Sequence, residues 1–181
     1  MDPANHHCAE KGVCLLFTLR EAQLEDVPDL LAIYNAAILT SPATFDLEPQ
    51  TLEQRTEWFL AHGERYPILV AADEEAVLGY ACLSPFREKP AYGKTVETSV
   101  YVHPNAHRRG VGTALVSAIL DRAKELGYHT VIAGITAGNE ASERLHQQFG
   151  FEKVGTLREV GYKFHQWHDV HFYQLMLSEN A

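Results

Sequence analysis

Apolar residues recur along this chain at the two spacings that separate helices from strands. Leu15–Arg20 reads as a first strand. After Glu25 and Asp26, residues Val27, Leu30, Leu31, Tyr34 and Ile38 fall on one helical face, with Pro28 in the first turn, where it is tolerated. Ser41–Gln50 holds two prolines and polar residues and reads as a loop with Phe45 exposed in it. Thr51 followed by Gln54 matches a capping box and opens a second helix through about His62, stopped by Gly63. Tyr66–Ala72 and Ala76–Leu83 read as antiparallel strands joined around Asp73–Glu75, and Pro85–Lys94 as a polar loop. Thr95–Val102 is a strongly β-branched strand. Arg109–Leu126 is the longest helix, with Val111, Leu115, Ile119, Ala123 and Leu126 on one stripe and Gly127 closing it. His129–Thr136 is the next strand, Asn139 caps a short helix over Glu140–Phe149 that ends at Gly150, and strands follow at Glu152–Lys163 and Gln166–Leu177.

The order β-α-α-β-β-β-α-β-α-β-β predicts an α+β, or mixed α/β, fold with an antiparallel front half and a β-α-β unit behind. No repeat or linker divides it, so residues 15–181 are expected to form one domain. Residues 1–14 offer little apolar surface and are expected to be a disordered extension.

Composition changes this picture little: 46% hydrophobic and 22% charged residues describe an ordinary soluble globular protein. No apolar run approaches the roughly 18–20 residues that span a bilayer. The first residues lack the basic start and apolar core of a secretory signal. Three cysteines, Cys8, Cys14 and Cys82, form no closed disulfide framework, which fits a reducing cytoplasm. His6, His7, Cys8 and Cys14 match no zinc spacing, so no metal is expected. A net charge of −9 argues against nucleic-acid binding. It also means that any anionic nucleotide must be held by a local device such as the amides of a helix start.

Val100–Thr113 (VYVHPNAHRRGVGT) supplies that device. A strand ends at Val102, and Arg109-Gly110-Val111-Gly112-Thr113 opens the long helix. Glycines there let backbone approach a ligand, and the free amides and dipole of the first turn favour a pyrophosphate. Arg108 and Arg109 add positive charge. Two glycines alone also fit a softened helix start with solvated arginines. A P-loop needs Lys-Ser/Thr after the glycines, where Thr113-Ala114 stand. A dinucleotide fingerprint needs a third small residue, where Leu115 stands, and an acid ending the next strand, which VIAGIT lacks.

With those two disfavoured, the stretch resembles the acetyl-CoA loop of the GNAT acetyltransferase superfamily, Gln/Arg-x-x-Gly-x-Gly/Ala. It reads His107-Arg108-Arg109-Gly110-Val111-Gly112, with His107 departing from the pattern. Asn139 before the Gly150-Phe151 turn is the second mark. From about Leu19 to Leu177, the segments IYNAAI, YPILVA, TVETSVYVHP, AGITAGNEAS, RLHQQFGF and EVGYKFHQWHDV are similar to the phosphinothricin and methionine sulfoximine acetyltransferases. Departures concentrate in Pro85–Lys94.

The resemblance implies a three-layer fold with a central, mostly antiparallel sheet flanked by helices. It also implies acetyl-CoA as co-substrate, a small-molecule amine as acceptor, and a homodimer. Val100, Tyr101 and Val102 would meet the pantetheine arm and offer an oxyanion donor, and Asn139 would join the cofactor site. An amine attacks a thioester only when unprotonated, and the resemblance puts the base at Glu97. Glu97 sits mid-strand opposite Val96, Thr98, Val100 and Val102; read alone it also fits a solvent-facing position. His146 is the proton donor to the leaving thiolate by resemblance, or a packing residue of its helix. Arg87, Pro90, Ala91 and Tyr92 are candidate acceptor-pocket residues, with Arg87 suited to a carboxylate. His129, His165, His168 and His171 read as structural or surface, and Phe164 and Trp167 as core or interface; with Phe172 and Tyr173 they are expected to offer aromatic surface for the dimer. Two other functions stay open: acetylation of protein or peptide N-termini, and non-catalytic CoA binding.

Overall fold

The computed structural model describes residues 17–177. The start of the first expected strand and the tail with His6, His7, Cys8 and Cys14 lie outside the described residues. Seven strands and four helices follow in the expected order: β1 (Thr18–Glu21), α1 (Val27–Thr40), α2 (Leu52–Ala61), β2 (Ile68–Ala72), β3 (Val77–Pro85), β4 (Thr95–Val102), α3 (Val111–Glu125), β5 (Thr130–Thr136), α4 (Glu140–Gln148), β6 (Glu152–Lys163) and β7 (Gln166–Met176). They form one sheet in the order β1-β2-β3-β4-β5-β7-β6, antiparallel except for the β4–β5 pair. Among the described residues no helix is long and apolar enough to cross a membrane.

The helices cover both faces. On one, α3 buries Val111, Leu115, Val116, Ile119, Leu120 and Ala123 against Leu69, Ala81, Leu83, Val96, Val131 and Ala133. Full burial of a side chain such as Leu115 or Ile119 stabilises the fold by about 1.5–3 kcal/mol. On the other, α1 lays Leu30 and Ile33 over Ile68, Val70, Tyr80 and Cys82. The buried stripe of α1 is Val27, Leu30, Ile33 and Ile38, so Ile33 takes the inward position expected of Leu31. The capping box of α2 is present: Thr51 Oγ1 accepts from Gln54 N at 3.2 Å, and Gln54 Oε1 accepts from Thr51 N at 2.8 Å.

One irregularity positions everything functional. β3 pairs with β4 along its length, Gly79–Pro85 against Val96–Val102. β5 pairs with β7 from Thr130 to Thr136. Yet β4 and β5 pair only over Thr95–Glu97 with Thr130–Ile132. Beyond that rung the two halves of the sheet part. The backbone groups on the β5-facing edge of β4 are left without a strand partner there, and a polar backbone seeks one.

Phe164 and Trp167 lie outside the core, exposed at the β6–β7 turn with Tyr162 beside Trp167. Tyr173, expected to offer surface, is buried instead: its ring packs into the core under α3 and its hydroxyl donates to Glu143 Oε2 at 2.9 Å. Phe45 is more engaged than its loop suggested. Its ring occupies the space that a Cβ at Gly161 would need and lies near His168. That contact, Thr136 Oγ1 donating to Pro42 O (2.6 Å) and Lys163 Nζ to Thr44 O (2.8 Å) strap the α1–α2 loop across the sheet.

Candidate active site

The parted strands lead to the start of α3. Pro104–Ala106 make a 3-10 turn after β4, and His107–Gly110 then reverse the chain. Gly110 is left-handed (φ 80°), as glycine allows. Arg108 is also left-handed (φ 62°), a conformation disfavoured by roughly 1–2 kcal/mol in a residue with a Cβ. The first amide bonded back within the helix is Ala114 N, to Gly110 O at 3.0 Å. The amides of Val111, Gly112 and Thr113 lie ahead of it, where a helix leaves its N–H groups unpaired. No acidic side chain occupies that turn. It is therefore an anion cradle in an acidic protein.

The side chains around it have distinct tasks. His107, which had no clear part in the sequence pattern, bonds Val102 O through Nε2 at 3.2 Å and ties the cradle to the end of β4. Arg109 Nη2 lies 3.6 Å from Asp73 Oδ2 in the β2–β3 turn. A Cβ on Gly112 would lie 3.3 Å from Leu145 Cδ2 and 3.7 Å from Val102 Cγ2, so this glycine also lets α3, α4 and β4 close up. Val100, Tyr101 and Val102 line the opening as partly exposed residues. Asn139 Oδ1 accepts from Ser142 N at 3.2 Å, so its carbonyl oxygen serves as the cap that holds α4.

Glu97 stands at the last rung before the strands part, opposite Ser84 in β3 and Ile132 in β5. Its side chain is half-buried and makes no hydrogen bond among the described residues. Burial raises its pKa, and the nearby Arg87 guanidinium opposes the rise. Room for the carboxylate comes from Gly134 of β5, the exposed position in an otherwise buried strand. A Cβ there would lie 3.4 Å from Glu97 Oε1.

His146 lies on the other face, buried on α4 edge-on to Phe151. Its Nδ1 is 2.8 Å from Ser142 O, a carbonyl that can only accept, so Nδ1 carries the proton. Nε2 is buried with no partner, and burial lowers the pKa. The resting imidazole is neutral, with a free lone pair on Nε2. Service as an acid would first need a second proton, which this burial disfavours.

Of the four acceptor-pocket candidates, Arg87 and Tyr92 line an open cleft of about 560 Å³ with Pro85, Phe86, Glu88 and Lys89. Arg87 lies over the Phe86 ring (4.5 Å), which meets Tyr92 edge-on. Pro90 and Ala91 belong to the 3-10 turn carrying Tyr92 and do not line the cleft. Sequence reasoning missed Gly134 and Arg55. The spacing of α2 put Arg55 on a helix, but only packing reveals that it points inward. Among the described residues no cluster of His, Cys, Asp or Glu could hold a metal ion.

The profile of the acetyltransferase (GNAT) family matches residues 30–151. The chain belongs to that family. A phosphinothricin N-acetyltransferase of Streptomyces coelicolor is 47% identical over 154 residues, covering 83% of this chain and 90% of the relative. An L-methionine sulfoximine/L-methionine sulfone acetyltransferase of Pseudomonas paraeruginosa is 41% identical over 163 residues (89% and 95%). The solved GNAT phosphinothricin acetyltransferase of Sinorhizobium meliloti, in complex with AcCoA, superposes with a TM-score of 0.87 at 37% identity, covering 91% of this chain and 90% of its own. This GNAT protein is an acetyl-CoA-dependent N-acetyltransferase, and the cradle at α3 is the feature that suits the pyrophosphate of the co-substrate.

Proposed function

We propose that the acceptor is the α-amine of a small amino acid of glutamate-like shape, the class to which phosphinothricin and methionine sulfoximine belong. The observation that carries this reading is Glu97 at the mouth of the β4–β5 opening with the Arg87 guanidinium nearby. A carboxylate held above its ordinary pKa is a better proton acceptor near neutrality. Arg87 takes the acceptor's carboxylate in bidentate fashion and turns its amine toward Glu97, positioning that can lower a barrier by several kcal/mol. The names of the relatives above point to the same class.

In the proposed reaction Glu97 removes a proton from the ammonium, directly or through water, and the amine attacks the thioester carbon. The charge that develops on the carbonyl oxygen meets an N–H of Val100–Val102 on the free edge of β4. The C–N bond forms and the C–S bond breaks; the second amine proton passes through water to the departing sulfur, so that the products are the neutral amide and CoA as its thiol. With a pKa near 8.5 for an ordinary thiol, that leaving group needs no strong acid.

Two further assignments belong to this reading. The exposed Tyr162, Phe164 and Trp167 suit a homodimer contact, and light scattering that gives 20.3 kDa at micromolar concentration would contradict it. Cys82, a free buried thiol, suits a reducing cytoplasm. The test of the acceptor is thiol release from acetyl-CoA across a panel of amines. Release with methionine sulfoximine, weakened by Arg87→Ala through KM, is expected. Equal rates with simple alkylamines retire the amino-acid reading, and release with peptides alone favours N-terminal acetylation.

A further inference from the structure

Arg55 has no part in the chemistry above, yet it is 2% exposed, a rare state for an arginine. It projects from α2 into the face of the sheet that also carries Glu97. Its guanidinium carbon lies 3.5 Å from the Trp58 ring centroid, 4.4 Å from that of Tyr34 and 5.2 Å from that of Tyr80. One nitrogen, Nη2, donates to the Tyr80 hydroxyl. Nε is buried with no partner, and no carboxylate touches the guanidinium among the described residues; Asp46 stands one residue away, accepting from the Tyr34 hydroxyl at 2.9 Å. A buried cation without an anion opposes folding, and an apolar side chain of similar volume is the more stable solution. Three aromatic faces offset only part of that penalty.

The surroundings show where this charge acts. Tyr80 stacks on Tyr101 at 5.3 Å, and Tyr34 meets Tyr101 edge-on at the same distance. Tyr101 belongs to the part of β4 that borders the opening. Along β3 the residues on this face are Tyr80, Cys82 and Ser84, opposite Tyr101, Ser99 and Glu97. The buried Cys82 thiol, pushed up to about 12 by burial, lies between the two charges and feels both Arg55 and Glu97. From Tyr80 to the rung of Glu97 is four residues, about 13 Å at the usual strand rise.

We infer that Arg55 is a specificity-determining residue of the acceptor site: a buried cation with no carboxylate in contact, whose field favours amines that bring one. It acts through the field and through the aromatic wall behind β4, without touching the reacting atoms. This rests on the amino-acid reading of the acceptor. Across a separation of roughly 10–20 Å, with an effective dielectric near 20, one charge changes the preference for an anionic acceptor by roughly four- to sixteen-fold, about tenfold in mid-range.

The test compares kcat/KM for methionine sulfoximine and its methyl ester in the full-length wild type, Arg55→Lys and Arg55→Met. In Arg55→Met the acid-to-ester ratio should fall about tenfold, with acetyl-CoA affinity unchanged and Tm equal or higher. Arg55→Lys, which keeps a cation, should hold the ratio within about threefold. A purely structural arginine would change Tm and both substrates together and leave the ratio alone; that result overturns the inference. Should Arg55→Met not fold, Arg55→Gln decides, since it keeps a hydrogen-bond donor toward Tyr80 and removes the charge; the acid-to-ester ratio should fall there as well. A ratio equal to that of the wild type in Arg55→Gln also overturns the inference. A wild type that prefers the ester from the outset retires the amino-acid reading itself and, with it, the role given to Arg55. A preferred acid with an unchanged Arg55→Met ratio retires only Arg55.

Discussion

Filling the hole at Gly134 should make the protein more stable and, on the acid side, a worse catalyst. Gly134 sits inside β5 with φ outside the left-handed region, so alanine fits the backbone without strain. The new methyl would lie 3.4 Å from Glu97 Oε1 and 3.7 Å from both Phe172 Cε1 and Val170 Cγ1, ordinary contacts that ask nothing to move. Gly→Ala at such a site stabilises by about 0.4–1 kcal/mol, mainly by reducing the freedom of the unfolded chain. For a protein of this size that raises Tm by about 1–4 °C. The same methyl takes water from the Glu97 carboxylate, whose pKa is already raised by burial, and so raises it further. The acid limb of the kcat/KM profile should move to higher pH, with acetyl-CoA affinity unchanged. Because the added desolvation penalises only the ionised form, the gain in Tm should be largest at acid pH, where Glu97 holds its proton. Calorimetry and pH-rate profiles of Gly134→Ala and wild type check both halves. A more stable variant with an unmoved acid limb would mean that Glu97 is not the titrating base. A Tm lowered by more than about 2 °C would mean that the hole is not there.

Glu97→Gln should lower kcat by about a hundredfold or more and leave acetyl-CoA affinity intact. Since the folded pKa of Glu97 is raised, its ionisation weakens the fold at neutral pH. The glutamine variant should therefore gain Tm there and lose that advantage as pH falls through the raised pKa toward the ordinary carboxylate value, below which none remains. Wild-type rates across pH 6–9 would sink the assignment. His146→Phe should cost less than tenfold in kcat, because a thiolate is already a tolerable leaving group; a hundredfold loss would mark His146 as a proton donor. Gly112→Val brings branched atoms against Leu145 and Val102, which should destabilise by about 1–3 kcal/mol and abolish acetyl-CoA binding. Unchanged affinity in the folded variant, measured calorimetrically, would remove the cradle from the site.

The sequence by itself determined the elements and the glycine-opened start of α3. β4 has the bounds its β-branched residues predicted, β6 those expected of it, and Thr51 and Asn139 cap the helices they were expected to cap. These features depend on neighbours a few residues away: side-chain period, a capping oxygen three residues from its amide, a glycine where φ must be positive. The protonation state of His146, the space that Gly134 leaves for Glu97, the tie from His107 to β4 and the strap of the α1–α2 loop were decided only by the tertiary structure. Each depends on groups brought together from distant parts of the chain, such as Lys163 on Thr44 or Gly134 under Glu97. Arg55 shows the difference most sharply. On a helix surface an arginine is solvated and unremarked; beneath Trp58, Tyr34 and Tyr80 it is a desolvated charge. A local pattern sets neither burial nor dielectric, so it cannot set the strength of that charge.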